Sequence, residues 1–257
     1  MDVSCVMFDM DGTLLDSAAG VTSSAAHALA SVGAAIPPPE ELRRFVGPPM
    51  IESFRTVPGL DEAGARRALK HYRKAYADRG AEQSSLYDGI IELLGQLHSA
   101  GIPMAVATSK VEDQAIRLAQ RFGIEDYFVS ICGASDSDGR ASKTEVIAEL
   151  LLRLKSQRVD ISHPVMIGDR SYDVAGAAEH GISTIFVAWG YGQPEEAVGA
   201  AAVASSPAAL LPMILNGGDQ LVAPEAMTPA PRAAIMPLLT RSTPVLTFGR
   251  RNHPIAL

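Results

Sequence analysis

The rhythm of apolar and polar positions changes twice along the chain. Residues 3–8 form a short, mostly apolar segment, rich in strand formers and as long as a single buried strand. Helical spacing then takes over. Apolar positions from 21 to 30 fall on one face, and Gly33 follows as a stop. Pro37-Pro38-Pro39 breaks the chain before a second helix with Leu42, Phe45 and Val46 inward; Gly47-Pro48-Pro49 ends it, and 50–57 reads as a third. Asp61 is a candidate cap for a longer helix to 79. Within it Ala65, Ala68, Leu69, Tyr72, Ala75 and Tyr76 recur at helical spacing, and Gly80 closes it. No strand signal interrupts residues 18–85.

From Asp88 the rhythm alternates. Asp88 can cap a helix running to Gly101. Strands are then expected at 103–108, 127–132, 164–168 and 183–188, with helices at 113–122, 142–154 and 173–180 between them. Such alternation predicts an α/β fold, a parallel sheet flanked by helices, with the first strand in the same sheet. The chain therefore divides into a core from 1–17 and 86–216 and an all-helical insertion, a cap, from 18–85. Its hinges are expected near 16–20 and 82–87. The segment 217–257 opens on Gly217-Gly218 and carries prolines at 224, 229, 231, 237, 244 and 254, so it reads as a flexible tail.

Composition narrows the partners. With 257 residues, 47% apolar and 20% charged, the chain has the make-up of a globular protein. Its formal net charge of −7 argues against a nucleic-acid polyanion. No apolar run of spanning length and no basic-then-apolar leader is seen, so a cytoplasmic protein with no membrane partner is expected. The six histidines are scattered without metal-ligand spacing.

Chemistry gathers at the predicted strand ends. Phe8-Asp9-Met10-Asp11-Gly12-Thr13 puts two carboxylates where a buried strand turns into a loop. In an open α/β sheet that is where ligands bind, and alternation would point Asp9 and Asp11 the same way. Thr108-Ser109-Lys110 offers hydroxyls and amides at the end of another strand. Ser142-Lys143-Thr144 opens a helix, whose N-terminus favours anions. Gly168-Asp169-Arg170-Ser171-Tyr172-Asp173 brings two more carboxylates, costly unless something cationic compensates them; a salt bridge from Asp169 to Arg170 is the plainer alternative.

In this order and spacing, these residues resemble the four motifs of the haloacid dehalogenase superfamily, mostly magnesium-dependent phosphatases. Phe45-Val46-Gly47-Pro48-Pro49, Tyr87-Asp88-Gly89-Ile90 and Trp189-Gly190-Tyr191-Gly192 are similar to the branch of phosphoglycolate phosphatases and bacterial 5′-nucleotidases, which carry a helical cap on a Rossmann-like core. The resemblance covers residues 3–215. It implies that Asp9 is the nucleophile, forming an aspartyl-phosphate, and that Asp11 is the acid and then the base. It implies Thr108, Ser109, Lys143 and the turn at Gly12 as phosphate ligands. Mg²⁺ would be held by Asp9, Asp169 and the Asp11 backbone carbonyl, with Asp173 in support. Members that cleave carbon–halogen bonds lack the second aspartate, so Asp11 argues for phosphoryl chemistry.

The expected function is hydrolysis of a small phosphate ester: a nucleoside 5′-monophosphate, phosphoglycolate or a sugar phosphate. A phosphomutase and a non-catalytic phosphate-binding module are the alternatives. The cap residues Arg43, Phe45 and Met50 are expected to face the leaving group and set specificity. A monomer or homodimer is expected. By the family's strand order one strand separates Cys5 from Cys132, ~10 Å apart and too far for a disulfide.

Overall fold

The first apolar run becomes β1 (Cys5–Phe8), buried at every position. A tight turn leads to β2 (Leu15–Asp16) and into the helices α1 (Ala18–Ser31), α2 (Pro39–Leu42), α3 (Met50–Thr56) and α4 (Glu62–Asp78). The chain returns through β3 (Ser85–Leu86) to α5 (Ile90–Ser99), β4 (Met104–Val111), α6 (Glu112–Arg121), β5 (Phe128–Ala134) and α7 (Lys143–Ser156). It continues through β6 (Pro164–Gly168), α8 (Ser171–Ala178), β7 (Ser183–Val187), β8 (Ala202–Ala204) and α9 (Pro207–Asn216). This computed structural model describes residues 2–135 and 137–216; the expected tail, 217–257, lies outside the described residues.

Six strands form one sheet in the order β5-β4-β1-β6-β7-β8, and every pairing is parallel. The chain builds outward from β1 on one side through β4 and β5. It then crosses back to lay β6 on the other side. The order therefore reverses at β1, and the crevice at its carboxyl end is where such sheets take their ligands. Period-two alternation sorts the β1 side chains onto two cores. Val6 and Phe8 pack with Ile90, Leu118 and Leu210 on one face. Cys5 and Met7 pack with Val146, Leu150 and Ala177 on the other. Both cysteines are buried and free, with β4 lying between their strands. Burial pushes their thiols up, Cys5 to about 12 and Cys132 to about 11.

The helical insertion has its own apolar centre, with Val21, Leu29, Phe45, Phe54, Tyr72 and Tyr76 buried in it. Asp61 caps α4 as expected, accepting from the Gly64 amide at 2.7 Å. The two linkers joining insertion to core pair as a short antiparallel ribbon, Leu15 with Leu86 and Asp16 with Ser85. Strands of two residues are too short to show a period, so the sequence shows these linkers only as gaps between helices. Where α1 meets the turn after α4, a Cβ on Gly20 would overlap the Gly80 carbonyl. Only glycine permits that approach.

Several boundaries differ from expectation. The cap position before α5 is Gly89 (φ 85°) and no side chain caps the helix, so Asp88 does not cap it. The strand β4 does not stop at Thr108 but runs on to Val111 through an irregular register after Ala107. The edge strand β8 and the helix α9 carry too short or too alanine-rich a pattern to be read from periodicity. No helix among the described residues is long and apolar enough to cross a membrane.

Candidate active site

The carboxyl ends of β1, β4 and β6 converge with the first turn of α7. Asp9 follows the last residue of β1, and its amide donates to the Ile167 carbonyl of β6 at 2.8 Å. Beyond it the chain bends, with Gly12 donating to the Leu15 carbonyl at 2.8 Å. Gly12 has φ +91°, and a Cβ there would run into the Asp169 carboxylate. Glycine is thus required where two loops of the site touch.

Asp9 and Asp11 are both buried, and each has its own lysine. The strand ends at Phe8, so the bend rather than strand alternation aims the two carboxylates. The Lys143 ammonium donates to Asp9 Oδ1 at 2.8 Å, to the Ala107 carbonyl at 2.8 Å, and pairs with Asp173 Oδ1 at 2.7 Å. Those three acceptors use its three protons. Lys143 thus lies among the carboxylates here and fixes Asp9. The fold puts it there through Ser142, which caps α7 in a reciprocal pair with Glu145. The other lysine, Lys110, pairs with Asp11 Oδ2 at 2.8 Å.

Among the described residues, no salt bridge to Asp169 is formed. Its oxygens accept instead from the Tyr191 amide at 2.8 Å and the Thr13 hydroxyl at 3.3 Å. The neighbouring Arg170 turns away to Glu196 at 2.9 Å and to the Val46 carbonyl of the insertion. The Asp169–Arg170 bridge that the sequence allowed is not formed. Asp173 accepts from the Arg170 amide at 3.0 Å, which starts α8.

Oxygens of Asp9, Asp169 and Asp173 lie within 4.8 Å of one another, and all three residues are buried. Burial pushes the Asp9 carboxyl up to about 6 even against the pull of Lys143, with the charges of Asp173 and Asp11 adding to the rise. Burial also holds Asp169 well above the usual range, reinforced by Asp173 and Asp9. One lysine does not compensate three carboxylates. An all-oxygen donor set with this surplus of negative charge fits a hard divalent cation such as Mg²⁺.

Two buried polar atoms nearby have no hydrogen-bond partner among the described residues, Asp11 Oδ1 and Ser109 Oγ. Both residues line a cavity of about 100 Å³ between core and insertion, closed on the far side by Phe45, Pro48, Met50 and Tyr72. Thr108 is buried beside them, its hydroxyl accepting from the Lys110 amide at 3.2 Å. The structure therefore brings Phe45 and Met50 to the cavity but not Arg43. That residue is exposed and lines a separate cleft with Arg170, Tyr172 and Glu196. The short turn after α2, residues 43–45, rotates Arg43 outward while burying Phe45.

Sequence reasoning gave no role to Lys110, Tyr76, Thr13 or Tyr191. The signal for Lys110 was present, since a lysine inside an apolar strand must find a partner. The Tyr191 hydroxyl donates to Asp16 at 2.7 Å and accepts from the Ser17 amide at 2.7 Å. Together with its amide on Asp169, it joins the linker at Asp16 and Ser17 to the carboxylate cluster.

Comparison with known proteins gives the same picture. The chain is 48% identical over 190 residues to the tyrosine-protein kinase PtkA of Mycobacterium tuberculosis, covering 74% of this chain and 64% of that protein. It thus spans a little under two thirds of that relative. It is 38% identical over 191 residues to a 5′-nucleotidase of Pseudomonas aeruginosa, covering 74% of this chain and 85% of the relative. Among solved structures, a predicted phosphatase from Clostridium acetobutylicum superposes with a TM-score of 0.77 at 34% identity, covering 82% of this chain and 97% of that one. The family model for haloacid dehalogenase-like hydrolases matches residues 6–187, from β1 to β7, and the chain belongs to that family.

Proposed function

We propose that the protein is a Mg²⁺-dependent phosphomonoesterase that cleaves a small phosphate ester through an aspartyl-phosphate on Asp9. The observation that carries this reading is the pairing of two buried aspartates with different surroundings. Asp9 is fixed by the Lys143 ammonium inside the carboxylate cluster, and Asp11 keeps one oxygen unpartnered among the described residues beside the cavity. The first environment suits a nucleophile and the second a proton donor.

In this reading an Asp9 oxygen attacks phosphorus, and the bond to the leaving oxygen breaks with its electron pair. Asp11 gives that oxygen its proton. In the second half Asp11 takes a proton from the water that attacks the aspartyl-phosphate, and Asp9 is regenerated. Ser109 Oγ and the Thr108 hydroxyl hold phosphoryl oxygens, and Lys143 keeps Asp9 in place. Mg²⁺, held by Asp9 and Asp169 with Asp173 in support, supplies charge neutralisation between the carboxylates and the phosphoryl group. Phosphate release from the purified protein is expected to stop when metal is stripped with EDTA and to return with Mg²⁺. Full turnover in the stripped protein contradicts the reading.

The substrate classes that fit are nucleoside 5′-monophosphates, phosphoglycolate and sugar phosphates. A cavity of about 100 Å³ admits few atoms beyond the phosphoryl group, so larger leaving groups need the cap to open. Discrimination should then rest on Phe45 and Met50 rather than Arg43. Expressed as the ratio of kcat/KM for phosphoglycolate and a nucleoside 5′-monophosphate, Phe45→Ala or Met50→Ala is expected to shift preference by about tenfold. Arg43→Ala should leave it within about twofold. A larger shift from Arg43→Ala overturns that assignment.

A second reading is favoured by the similarity to PtkA, a protein named as a kinase: the phosphoryl group passes to an acceptor other than water. A phosphomutase belongs to the same class. Inorganic phosphate released in equal amount to the alcohol formed identifies hydrolysis; a shortfall matched by a phosphorylated acceptor identifies transfer.

A further inference from the structure

Lys110 is a buried cation with no part in the chemistry above. It sits in the irregular end of β4, where the register shifts between Ala107 and Val111. Its ammonium is 2.8 Å from Asp11 Oδ2 and donates to the Tyr76 hydroxyl at 2.9 Å. The ammonium also lies 4.3 Å from the centre of the Tyr76 ring. Burying an ammonium costs several kcal/mol unless it is paired and hydrogen-bonded. One of these partners belongs to the core turn after β1. The other belongs to α4 of the helical insertion. Lys110 is fully satisfied only when cap and core are together.

The two oxygens of a carboxyl group are interchangeable by rotation about χ2, unless something distinguishes them. Here Lys110 claims Oδ2, and Oδ1 is the buried atom left without a partner among the described residues. Tyr76 is in turn backed by aromatic rings of the insertion. Its ring stacks on Tyr72 at 5.7 Å, Tyr72 meets Phe54 at 6.2 Å, and Phe54 meets Phe45 at 5.2 Å. Phe45 and Tyr72 also line the cavity. The same packed row therefore touches the space for the leaving group at one end and the lysine that holds Asp11 at the other.

We propose that Lys110 is the positioning residue for Asp11, and that Tyr76 makes this positioning depend on closure of the cap. With Oδ2 held by Lys110, Oδ1 is the oxygen left to carry the proton that the leaving group receives. That proton passes to the leaving oxygen as the bond from phosphorus to that oxygen breaks and the bond from Asp9 to phosphorus forms. The Asp11 carboxylate that remains faces the Lys110 ammonium until water returns a proton to Oδ1. An open cap separates Tyr76 from Lys110 and loosens the acid. Proton delivery is thereby confined to the closed state, where bulk water is excluded.

The inference rests on the phosphomonoesterase reading, and its test separates the two. A nitrophenolate leaves without a proton, whereas an alkoxide needs one. Values of kcat/KM, which report transfer to Asp9, are to be compared for p-nitrophenyl phosphate and for an alkyl ester such as phosphoglycolate. In Lys110→Met the alkyl ester should lose about 10²-fold or more, and the nitrophenyl ester under about tenfold. Lys110→Arg should recover part of the selective loss. Tyr76→Phe, which removes one hydroxyl and keeps the ring, should show the same selectivity at smaller size. Equal losses on both esters in Lys110→Met and Tyr76→Phe, or no loss on either, overturn the proposal and leave the phosphatase reading standing. Wild-type protein that releases phosphate from neither ester overturns both.

Discussion

Asp9→Asn is expected to give a folded protein whose phosphate release is reduced by about 10⁴-fold or more, in the range seen when a covalent nucleophile is removed. The substitution keeps the side chain's shape, and the amide oxygen still accepts from Lys143. What is lost is the nucleophile, because an amide oxygen does not form a stable ester with phosphorus. Stability should change little. Asp9 is a carboxyl that burial pushes up to about 6, so the ionised form is disfavoured where it stands. A neutral group relieves that crowding with Asp173 and Asp11 while giving up part of the Lys143 pairing. The check is phosphate release with the mass of the sample confirmed, beside a melting curve. Turnover near wild type in a sample free of wild-type contamination removes Asp9 from its role.

What could be read from sequence and what could not divide along physical lines. Asp9 and Asp169 stood out because a carboxylate just beyond an apolar strand is costly without compensation, and Asp173, four residues on in the first turn of α8, joins them in space. Ser142 and Lys143 were legible as a helix start. The alternating strands and helices of the core were legible because buried strands and amphipathic helices differ in period. The contacts that cross the chain were not. Lys143 is legible as a cation at a helix start, but its bonds to Asp9, Asp173 and the Ala107 carbonyl are not, since nothing local announces three distant acceptors. Arg170 lies beside Asp169 in sequence but binds Glu196 and Val46, since adjacent residues on an extended backbone point apart. Arg43 and Phe45 are two apart, and only the turn that follows α2 decides that one is exposed and the other faces the cavity. The Lys110–Tyr76 contact joins residues 34 apart on different elements, beyond the reach of any local pattern.

Lys143→Met removes the one lysine shared within the carboxylate cluster, and its effects on stability and on activity should both be large. The ammonium is buried against Asp9 and Asp173. Burial alone would lower its affinity for a proton, but the charges of Asp173 and Asp9 outweigh that and hold it above the ordinary lysine range. Methionine is unbranched and of similar length, so it fills the space without compensating the charge. Breaking a buried pair by removing one partner costs about 3–5 kcal/mol, because an uncompensated charge is left behind. For a domain of this size that corresponds to a fall in Tm of roughly 6–20 °C. The loss should be greatest without metal. Asp9, Asp169 and Asp173 then face one another with no cation, and a divalent ion becomes their remaining compensation. Mg²⁺ should therefore raise the Tm of Lys143→Met more than that of the wild type, since a more negative site binds the ion more tightly and ligand-linked stabilisation grows with affinity. Activity with saturating Mg²⁺ should remain about 10²–10³-fold down, as expected when one preorganised charged donor is taken from a site. Melting curves of both proteins in EDTA and in Mg²⁺, alongside initial rates, test each part. An unchanged Tm in EDTA, or a Mg²⁺ shift no larger than in wild type, shows that Lys143 does not carry the charge balance of the cluster.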